Sequence, residues 1–250
     1  MMELSRQRNG QALLHMVGIS GSLLPGSCTR MALDIALQGA QHAGASIQLI
    51  DLRDYELPFC AGKIGELEHS EDVVRLRQAL QQAQGVILGT PVYHGSFSGV
   101  LKNALDAMGF EEFEGKIIGL VGVSGGALGA ADALTGLQVV SRSLHAWVIP
   151  QQVSIAEAWK VFEADGKIKD HGVERRLKRL ASRWYASRIC TRQSRRSSSY
   201  INGKKRLPIQ EAARACKCRL RRSRGSQADA VAVGYISIAE RNTSTKKLTI

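Results

Sequence analysis

Short apolar runs alternate with amphipathic stretches between about residues 14 and 187. The apolar runs are continuous and rich in β-branched residues, which is typical of strands that are buried on both faces of a sheet. They lie at 14–19, 47–52, 86–88, 117–123 and 147–149, the last leading on to Val153 and Ile155. Apolar residues recur at helical spacing within 73–83, 100–108 and 173–184, and the Ala- and Leu-rich segments 31–43 and 129–145 are also compatible with helices.

This alternation of strand and helix, repeated five times, predicts the fold class. It is typical of a doubly wound α/β domain with a five-stranded parallel sheet and helices on both faces. In such a domain, ligands bind at the carboxyl ends of the strands, at the point where the strand order reverses. We therefore expect the loops that follow the first, third and fourth strands to carry the chemistry.

The loop after the first strand, GISGSLLPGSCTR (Gly18–Arg30), is rich in glycine and hydroxyl residues. Ser27 and Cys28 stand where a Walker A loop needs lysine followed by serine or threonine, and the dinucleotide motif G-x-G-x-x-G is absent. Backbone N–H groups and hydroxyls beside the positive end of a helix, which we expect to begin near Arg30, suit a phosphate monoester. The alternative is that Ser27 or Thr29 only caps this helix. The candidate phosphate hydroxyls belong to Ser20, Ser22, Ser27 and Thr29.

The loop after the third strand lies in GTPVYHGSFSGVLKNALD (Gly89–Asp106). We expect Pro91 to end the strand and Gly95 to permit a tight turn. Ser96 or Ser98 then caps the helix that follows. A Pro-Val-Tyr-His-Gly run at the carboxyl end of a strand offers backbone N–H groups and flat side chains, which fits an aromatic heterocycle. The alternative is a purely structural turn with a half-buried tyrosine.

The loop after the fourth strand, VSGGALGAAD (Val123–Asp132), combines one serine with three glycines. Glycines allow the backbone to come close to a ligand. The alternative is a turn at the start of a helix that needs a positive φ at one glycine. The residues that point to a ligand are Ser124, Gly125, Gly126 and Gly129.

The formal charge of +12 is concentrated at the C-terminal end of the chain. From residue 186 onward there are 16 Lys and Arg against 3 Asp and Glu, which leaves 18 basic and 19 acidic residues before that point. We therefore expect a flexible N-terminus at 1–12, one folded domain at 13–187, and a basic tail of low order at 188–250. The tail is either incidental or contacts nucleic acid or another polyanion.

The five cysteines are an odd number and widely scattered, which favours a reducing compartment over a disulfide framework. Cys216 and Cys218 have no second Cys or His pair at zinc-ligand spacing, so we expect no metal site. Cys28 and Cys60 fit ordinary packing roles. The sequence has no run of about 18 apolar residues and no signal-peptide core at its N-terminus. We therefore expect a cytoplasmic protein without membrane insertion.

Three strings together, GSLLPGSCTR, TPVYHGSFSGVLKNALD and VSGGALGAADAL, resemble the flavodoxin-like NAD(P)H-dependent FMN reductase family, which includes quinone, chromate and azo-dye reductases. The resemblance covers roughly residues 13–187, and the second string is specific to the family. It implies a flavodoxin-like sheet with the strand order 2-1-3-4-5. It also implies FMN as the bound cofactor, NADPH or NADH as co-substrate, and a homodimer or homotetramer.

The resemblance assigns one part of FMN to each loop. The first loop binds the phosphate, the second lies along the isoalloxazine ring, and the third closes the other polar edge of the ring. Arginine is common in the family at the position of Leu24, so here neutralisation of the phosphate rests on N–H groups, hydroxyls and Arg30. His94 is then a donor at the flavin edge and not a general base. The residues carried over are Ser22, Ser27 and Thr29 for the phosphate, Pro91, Val92, Tyr93, His94 and Ser96 for the ring, and Ser124, Gly125 and Gly126 for its other edge. The loops themselves add Ser20, Arg30 and Gly95 to the predicted cofactor site.

The activity implied by the resemblance is a ping-pong transfer of electrons. The enzyme takes hydride from NADPH or NADH onto FMN and passes electrons to a small acceptor, such as a quinone, free flavin, metal oxyanion or azo compound. The chemistry takes place on flavin N5, so no catalytic side chain is expected. One alternative is a flavodoxin-type electron carrier, although residues 1–185 are near neutral and lack the T/S-x-T-G-x-T loop of such carriers. Another alternative is a flavin domain whose basic tail binds nucleic acid.

Overall fold

The computed structural model describes residues 14–62, 67, 69–163 and 165–182. All of them belong to the first of the two units into which the chain divides, Met1–Ser194 and Arg195–Ile250. The expected N-terminal extension at 1–12 and basic tail at 188–250 lie outside the described residues, so both stay predictions.

Strands and helices alternate through the described residues, as the sequence pattern predicts. The strands are β1 (His15–Ser20), β2 (Ser46–Asp51), β3 (Gly85–Tyr93), β4 (Ser96–Phe97), β5 (Ile117–Val123) and β6 (Trp147–Ile155). The helices are α1 (Cys28–His42), α2 (Glu71–Gln82), α3 (Gly99–Asp106), α4 (Phe110–Phe113), α5 (Ala131–Ser143), α6 (Ala158–Val161) and α7 (171–182). A 3₁₀ turn, Leu52–Asp54, follows β2. In the described part of the chain, every helix is too short or too polar to cross a membrane.

The five long strands form a parallel sheet in the order β2-β1-β3-β5-β6. This is the predicted order 2-1-3-4-5 when only the long strands are counted, so the flavodoxin-like fold class is confirmed. The sequence analysis did not predict β4, a two-residue strand that pairs antiparallel with the end of β3. The strand order reverses between β1 and β3, so a ligand is expected at the carboxyl ends of these two strands.

Two hydrophobic layers enclose the sheet. On one face pack α1 and α7, where Leu37 and Leu177 belong to the same cluster as Met16 of β1. On the other face pack α2, α3 and α5, together with Ile19 of β1. Side chains alternate between the two faces along a strand, so Ser20 at the end of β1 points to the face that α1 covers.

Pro91 does not end β3, which continues to Tyr93, so this predicted boundary is wrong. The carbonyl of Gly89 accepts a hydrogen bond from Gly21, which lies just beyond the end of β1. Proline is tolerated beyond the end of β1 because no partner strand there needs its missing N–H group.

A buried charged cluster joins α2 to the turn before β5. Glu112 is fully buried and accepts hydrogen bonds from Nε of Arg77 at 3.0 Å and Nε2 of Gln81 at 2.9 Å. Lys116, also buried, donates from Nζ to carbonyls at the C-terminal end of α2, including that of Ala83 at 2.7 Å. A cation is favoured at the C-terminal end of a helix, and buried charges are stable when they are paired. This cluster lies at the amino edge of the sheet, away from the expected ligand.

Candidate functional site

The strand register brings the three predicted loops to one edge of the sheet. Ser20, the last residue of β1, is level with Gly89 in β3. Pro91 in β3 is level with Val123, the last residue of β5. The carboxyl edge therefore carries three neighbouring loops. They are the first loop (21–27), the second loop (91–98, including β4) and the third loop (124–130).

Gly21 joins the first loop to the second. Its N–H donates to the carbonyl of Gly89 at 2.8 Å, and its carbonyl accepts from the hydroxyl of Ser98 at 2.6 Å. The Ser98 hydroxyl also accepts the N–H of Leu101 at 3.2 Å, so Ser98 and not Ser96 caps α3. A Cβ atom added at Gly21 would lie 2.7 Å from the Cβ of Leu101, so the junction has room only for glycine.

The N-terminus of α1, which follows the first loop, carries unused hydrogen-bond donors. Helix α1 begins at Cys28, two residues before Arg30 and so close to the predicted start, because the hydroxyl of Ser27 caps it. This hydroxyl accepts the N–H of Thr29 at 3.1 Å, so Ser27 caps the helix, and it keeps its own proton to donate. Among the described residues, the N–H group of Arg30 has no acceptor, and the N–H group of Cys28 meets only its own thiol, a weak acceptor. Such groups at the positive end of a helix are typical of an anion site.

The hydroxyl of Ser20 is buried without a partner. Its side chain is fully buried on the face that α1 covers, and its Oγ has no hydrogen-bond partner among the described residues. Leaving a buried polar group unpaired costs about 1–3 kcal/mol, so proteins pair nearly all such groups. Ser22 is also buried, and its hydroxyl accepts a long hydrogen bond from the N–H of Leu24 at 3.4 Å. Both hydroxyls are therefore available to a ligand at the first loop.

Two arginines flank the first loop, and one buried carboxylate holds them both. Asp51 ends β2, is level with Ser20 in the register and is almost fully buried. The Nε atom of Arg30 lies 3.2 Å from Oδ2 of Asp51. Arg53 reaches the same oxygen with Nη2 at 2.6 Å and Nε at 3.0 Å, and this hydrogen bonding raises the pKa of Arg53 above its ordinary value. Of these three residues, Arg30 is predicted as a site residue from the sequence, whereas Asp51 and Arg53 are not.

The second loop is a β-hairpin with His94 and Gly95 at its tip. Both residues have positive φ, +50° and +77°, as a two-residue type I′ turn requires. The backbone therefore forms a tight turn, and both side chains near its tip face solvent, since His94 is exposed and Tyr93 keeps 48% of its surface exposed. Thr90 is fully buried and accepts the N–H of Ser98 through Oγ1 at 2.9 Å, which fixes the base of the hairpin. Of the other predicted ring contacts, Pro91 is buried, Val92 is half-buried and Ser96 is exposed.

The third loop is held by the end of β6. The N–H of Ser124 donates to the carbonyl of Ile155 at 2.8 Å, and the carbonyl of Ser124 accepts the N–H of Ala158 at 3.0 Å. The hydroxyl of Ser124 accepts the N–H of Gly126 at 3.1 Å, which turns the chain. Gly129 has a φ of +71°, so the alternative of a glycine-dependent turn is correct at this position. The exposed backbone of the turn belongs to Gly125 and Gly126.

Large apolar side chains are exposed around the same edge. Exposed apolar groups mark interaction sites when they cluster. At least one exposed apolar side chain comes from each of the three loops and from the segment after β6. They are Leu23, Leu24, Tyr93, Leu128 and Trp159. The rim of the candidate site is therefore apolar, including the position where the family resemblance expects arginine.

Other features of the described residues lie apart from this edge or play packing roles. A cavity of about 620 Å³, lined in part by Arg142, His145 and Trp147, lies at the opposite, amino edge of the sheet. Cys28 and Cys60 are free and half-buried against hydrophobic clusters, as predicted. Within the described ranges, no group of three or more His, Cys, Asp or Glu side chains could hold a metal ion.

The residues at the carboxyl edge fit the parts of FMN that the sequence analysis assigned to them. The unpartnered Ser20 hydroxyl and the free N–H groups of α1 offer donors to a phosphate dianion. The hairpin and the exposed backbone of the third loop lie on the β3 and β5 side of that position, where a flat ring with polar edges has room. The arrangement can therefore bind a phosphate and a ring at neighbouring points.

Comparison with known proteins points to one family. The sequence model described as NADPH-dependent FMN reductase matches residues 14–160. The FMN-dependent NADPH-azoreductase of Staphylococcus aureus (strain USA300) is 38% identical over 99 residues, which are 40% of this chain and 52% of that protein. The match thus spans about half the length of this relative.

Solved structures share the fold. An NADH:FMN oxidoreductase in its apo form aligns with a TM-score of 0.58 and 22% identity, covering 70% of this chain and 89% of its own. A flavoenzyme NAD(P)H:(acceptor) oxidoreductase from Paracoccus denitrificans aligns with a TM-score of 0.53 and 23% identity, covering 69% and 95%. Identities this low show a common fold and no more.

Proposed function

Because the chain belongs to the NADPH-dependent FMN reductase family, we propose that it binds FMN and passes electrons from NADPH or NADH to a small acceptor. One observation carries this proposal. Three loops converge at the carboxyl edge of the sheet, with an unpartnered buried hydroxyl and free helix N–H groups at one end. Both the position and the donors suit the phosphate of a flavin mononucleotide.

The first loop and the start of α1 would hold the phosphate. The hydroxyls of Ser20 and Ser22 and the N–H groups of Cys28 and Arg30 are the donors without a strong partner of their own. Ser27 orients this end of the helix by capping it and has a proton left to donate. A dianion at the N-terminus of α1 is favoured further by the helix dipole.

The second and third loops would hold the ring. The type I′ hairpin keeps Tyr93 and His94 in fixed positions, because β4 pairs with β3 and Thr90 bonds to Ser98 below them. The exposed backbone of Gly125 suits the polar edge of a flavin, whereas the N–H of Gly126 already donates to the hydroxyl of Ser124. When FMN is bound, it supplies the hydride and electron transfer, for which no side chain of the protein is a substitute.

The acceptor would reach the ring across the apolar rim. Leu23, Leu24, Tyr93 and Trp159 are exposed around the edge and favour flat, poorly hydrated molecules. We therefore propose a quinone, free flavin or azo compound as the acceptor, with a metal oxyanion as a further candidate. The S. aureus relative, whose name is azoreductase, supports the azo class.

The test is to purify the full chain, record its flavin spectrum, and follow NADPH and NADH oxidation with quinone, FMN, ferricyanide, chromate and an azo dye. We expect a yellow protein, or one that becomes yellow with added FMN, and acceptor-dependent oxidation of at least one nucleotide. Ser22→Ala should lower FMN affinity, whereas Ser143→Ala, on the exposed face of α5, should not. A protein that neither binds FMN nor oxidises either nucleotide refutes the proposal, and FMN binding without oxidation supports an electron carrier.

Assembly, location and the tail stay predictions. We propose a homodimer or homotetramer in the cytoplasm, which sedimentation of the purified protein and cell fractionation would check. Contact of the 188–250 tail with nucleic acid is a separate hypothesis, since those residues lie outside the described ranges. A salt-dependent gel shift of the full chain, absent from a chain ending at residue 187, would support it.

A further inference from the structure

Asp51 is an acidic residue placed beside a site for an acidic ligand. It ends β2 level with Ser20, one strand away from the unpartnered hydroxyl of the phosphate site. By charge alone, a buried carboxylate there should oppose a phosphate dianion. The contacts of Asp51 reverse this expectation, because two guanidinium groups converge on it.

We propose that Asp51 is a positioning residue for the phosphate of FMN: it holds Arg30 and Arg53 beside the first loop, so that this carboxylate strengthens phosphate binding. The inference rests on the proposed function. The cluster of Asp51, Arg30 and Arg53 has one negative and two positive charges; Asp54 offsets part of the charge of Arg53, so the positive charge that favours an anion lies chiefly at Arg30. The cluster supplies the positive charge that Leu24 does not.

The geometry leaves donors free for the ligand. Arg30 is the third residue of α1, and its side chain, 45% exposed, meets Asp51 through Nε. Its two terminal nitrogens have no acceptor among the described residues. Arg53 donates to Asp51 from Nε and Nη2, so one of its terminal nitrogens remains for a ligand. A guanidinium fixed in this way can bind a second oxyanion with its remaining donors.

Positioning matters because arginine is long and flexible. A free arginine side chain has about 2 kcal/mol of rotamer entropy to lose when it is fixed. Asp51 is almost fully buried at the end of a strand, so it fixes both arginines before the ligand arrives. Pre-organisation of this kind raises affinity because less ordering is left for the binding step.

The cluster should act on the phosphate and not on the ring. It lies on the β2 side of the first loop, whereas the second and third loops lie on the side of β3 and β5. Riboflavin has the same ring as FMN but no phosphate. Its binding should therefore be insensitive to every change in the cluster.

The experiment titrates the flavin-free full chain with FMN and with riboflavin, followed by quenching of flavin fluorescence. Asp51→Asn and Arg30→Gln should each raise the Kd for FMN about tenfold, with the Kd for riboflavin unchanged, and Arg30→Gln, which removes a cation, should also flatten the salt dependence of FMN binding. Adding Asp51→Asn to Arg30→Gln should weaken FMN binding by clearly less than tenfold more, because both changes disable Arg30 and only the contribution of Arg53 remains to be lost. The matched control is Asp34→Asn, which removes the same charge from an exposed position on α1 and should leave both affinities within twofold.

The direction in which Asp51→Asn changes the Kd for FMN decides whether the carboxylate helps or opposes phosphate binding. If FMN binds as tightly as before, or more tightly, the carboxylate only repels the phosphate and the inference is overturned. Equal weakening of FMN and riboflavin also overturns it, because the change then acts on the whole fold. If Asp51→Asn fails to fold in thermal melts, Arg30→Gln and Arg53→Gln decide, since both must weaken FMN selectively. A wild-type protein that binds no FMN refutes the proposed function itself, which is a separate result.

Discussion

Replacing Ser20 with alanine should change stability and FMN affinity in opposite directions. In the flavin-free protein the hydroxyl is fully buried and has no partner among the described residues, at a cost of about 1–3 kcal/mol. Ser20→Ala removes the hydroxyl and leaves the backbone pairing of β1 intact. We expect the flavin-free variant to be more stable by about 1 kcal/mol, or about 2–4 °C in Tm for a domain of this size.

With FMN bound, the wild type should be more stable than Ser20→Ala. A hydrogen bond to a charged group contributes about 1.5–3 kcal/mol, so the loss of this donor should weaken FMN binding roughly tenfold to hundredfold. A ligand that binds only the native state stabilises it by RT ln(1 + L/Kd), where L is the ligand concentration, so a tighter ligand stabilises more at the same concentration. At a fixed FMN concentration well above the Kd of both proteins, Ser20→Ala should therefore melt below the wild type, although it melts above it without FMN.

The assay is thermal melting of the full chain with and without FMN, beside a fluorescence titration for the Kd. Ser98→Ala is the contrasting variant, because its buried hydroxyl has partners and caps α3. It should lower stability by about 1–2 kcal/mol without FMN. A flavin-free Ser20→Ala that melts lower than wild type would show that the hydroxyl has a partner. An unchanged Kd for FMN would show that the hydroxyl does not face the phosphate.

Further predictions concern the loop junction, the buried cation and the hairpin tip. Gly21→Ala places a Cβ 2.7 Å from that of Leu101 and should lower both Tm and FMN affinity, whereas Gly99→Ala, with open space around it, should lower neither. Lys116→Met removes the cation from the carbonyls of α2 and should cost about 1–3 kcal/mol in urea unfolding; because Lys116 lies at the amino edge, a changed FMN affinity would contradict its purely structural role. His94→Val should destabilise the protein by about 1–2 kcal/mol, because a β-branched residue avoids a φ of +50°, and His94→Asn should melt like the wild type.

The sequence predicts the sheet well because buried parallel strands have a simple pattern. The bounds of β5 match the apolar run 117–123 residue for residue, since polar side chains stand on both sides of it. The end of β3 was predicted wrongly because proline was taken as a terminator. Whether a strand tolerates proline depends on where its neighbour ends, and a single sequence does not contain that information.

The sequence predicts the three loops of the candidate site but not the residues from other strands that hold them in place. Glycines and serines after a strand are visible as a local pattern, so the three loops could be named. Asp51 and Arg53 follow a different strand, and their link to Arg30 exists only after β2 has paired with β1. Likewise, nothing in the sequence near Ser124 indicates that the end of β6 holds it. Long-range pairing decides these contacts.

The third loop is anchored to an edge strand and should therefore open more often than the first loop. Ser124 is held by Ile155 and Ala158, which lie at and just beyond the end of β6, and β6 pairs only with β5 in the described sheet. The register of that pairing also shifts between Ile118 and Leu120. Edge elements open locally more often than central ones, whereas the first loop rests on β1 and β3 in the middle of the sheet. Opening of this edge would therefore free a bound flavin from the third loop only, while the first and second loops, on central strands, keep their contacts.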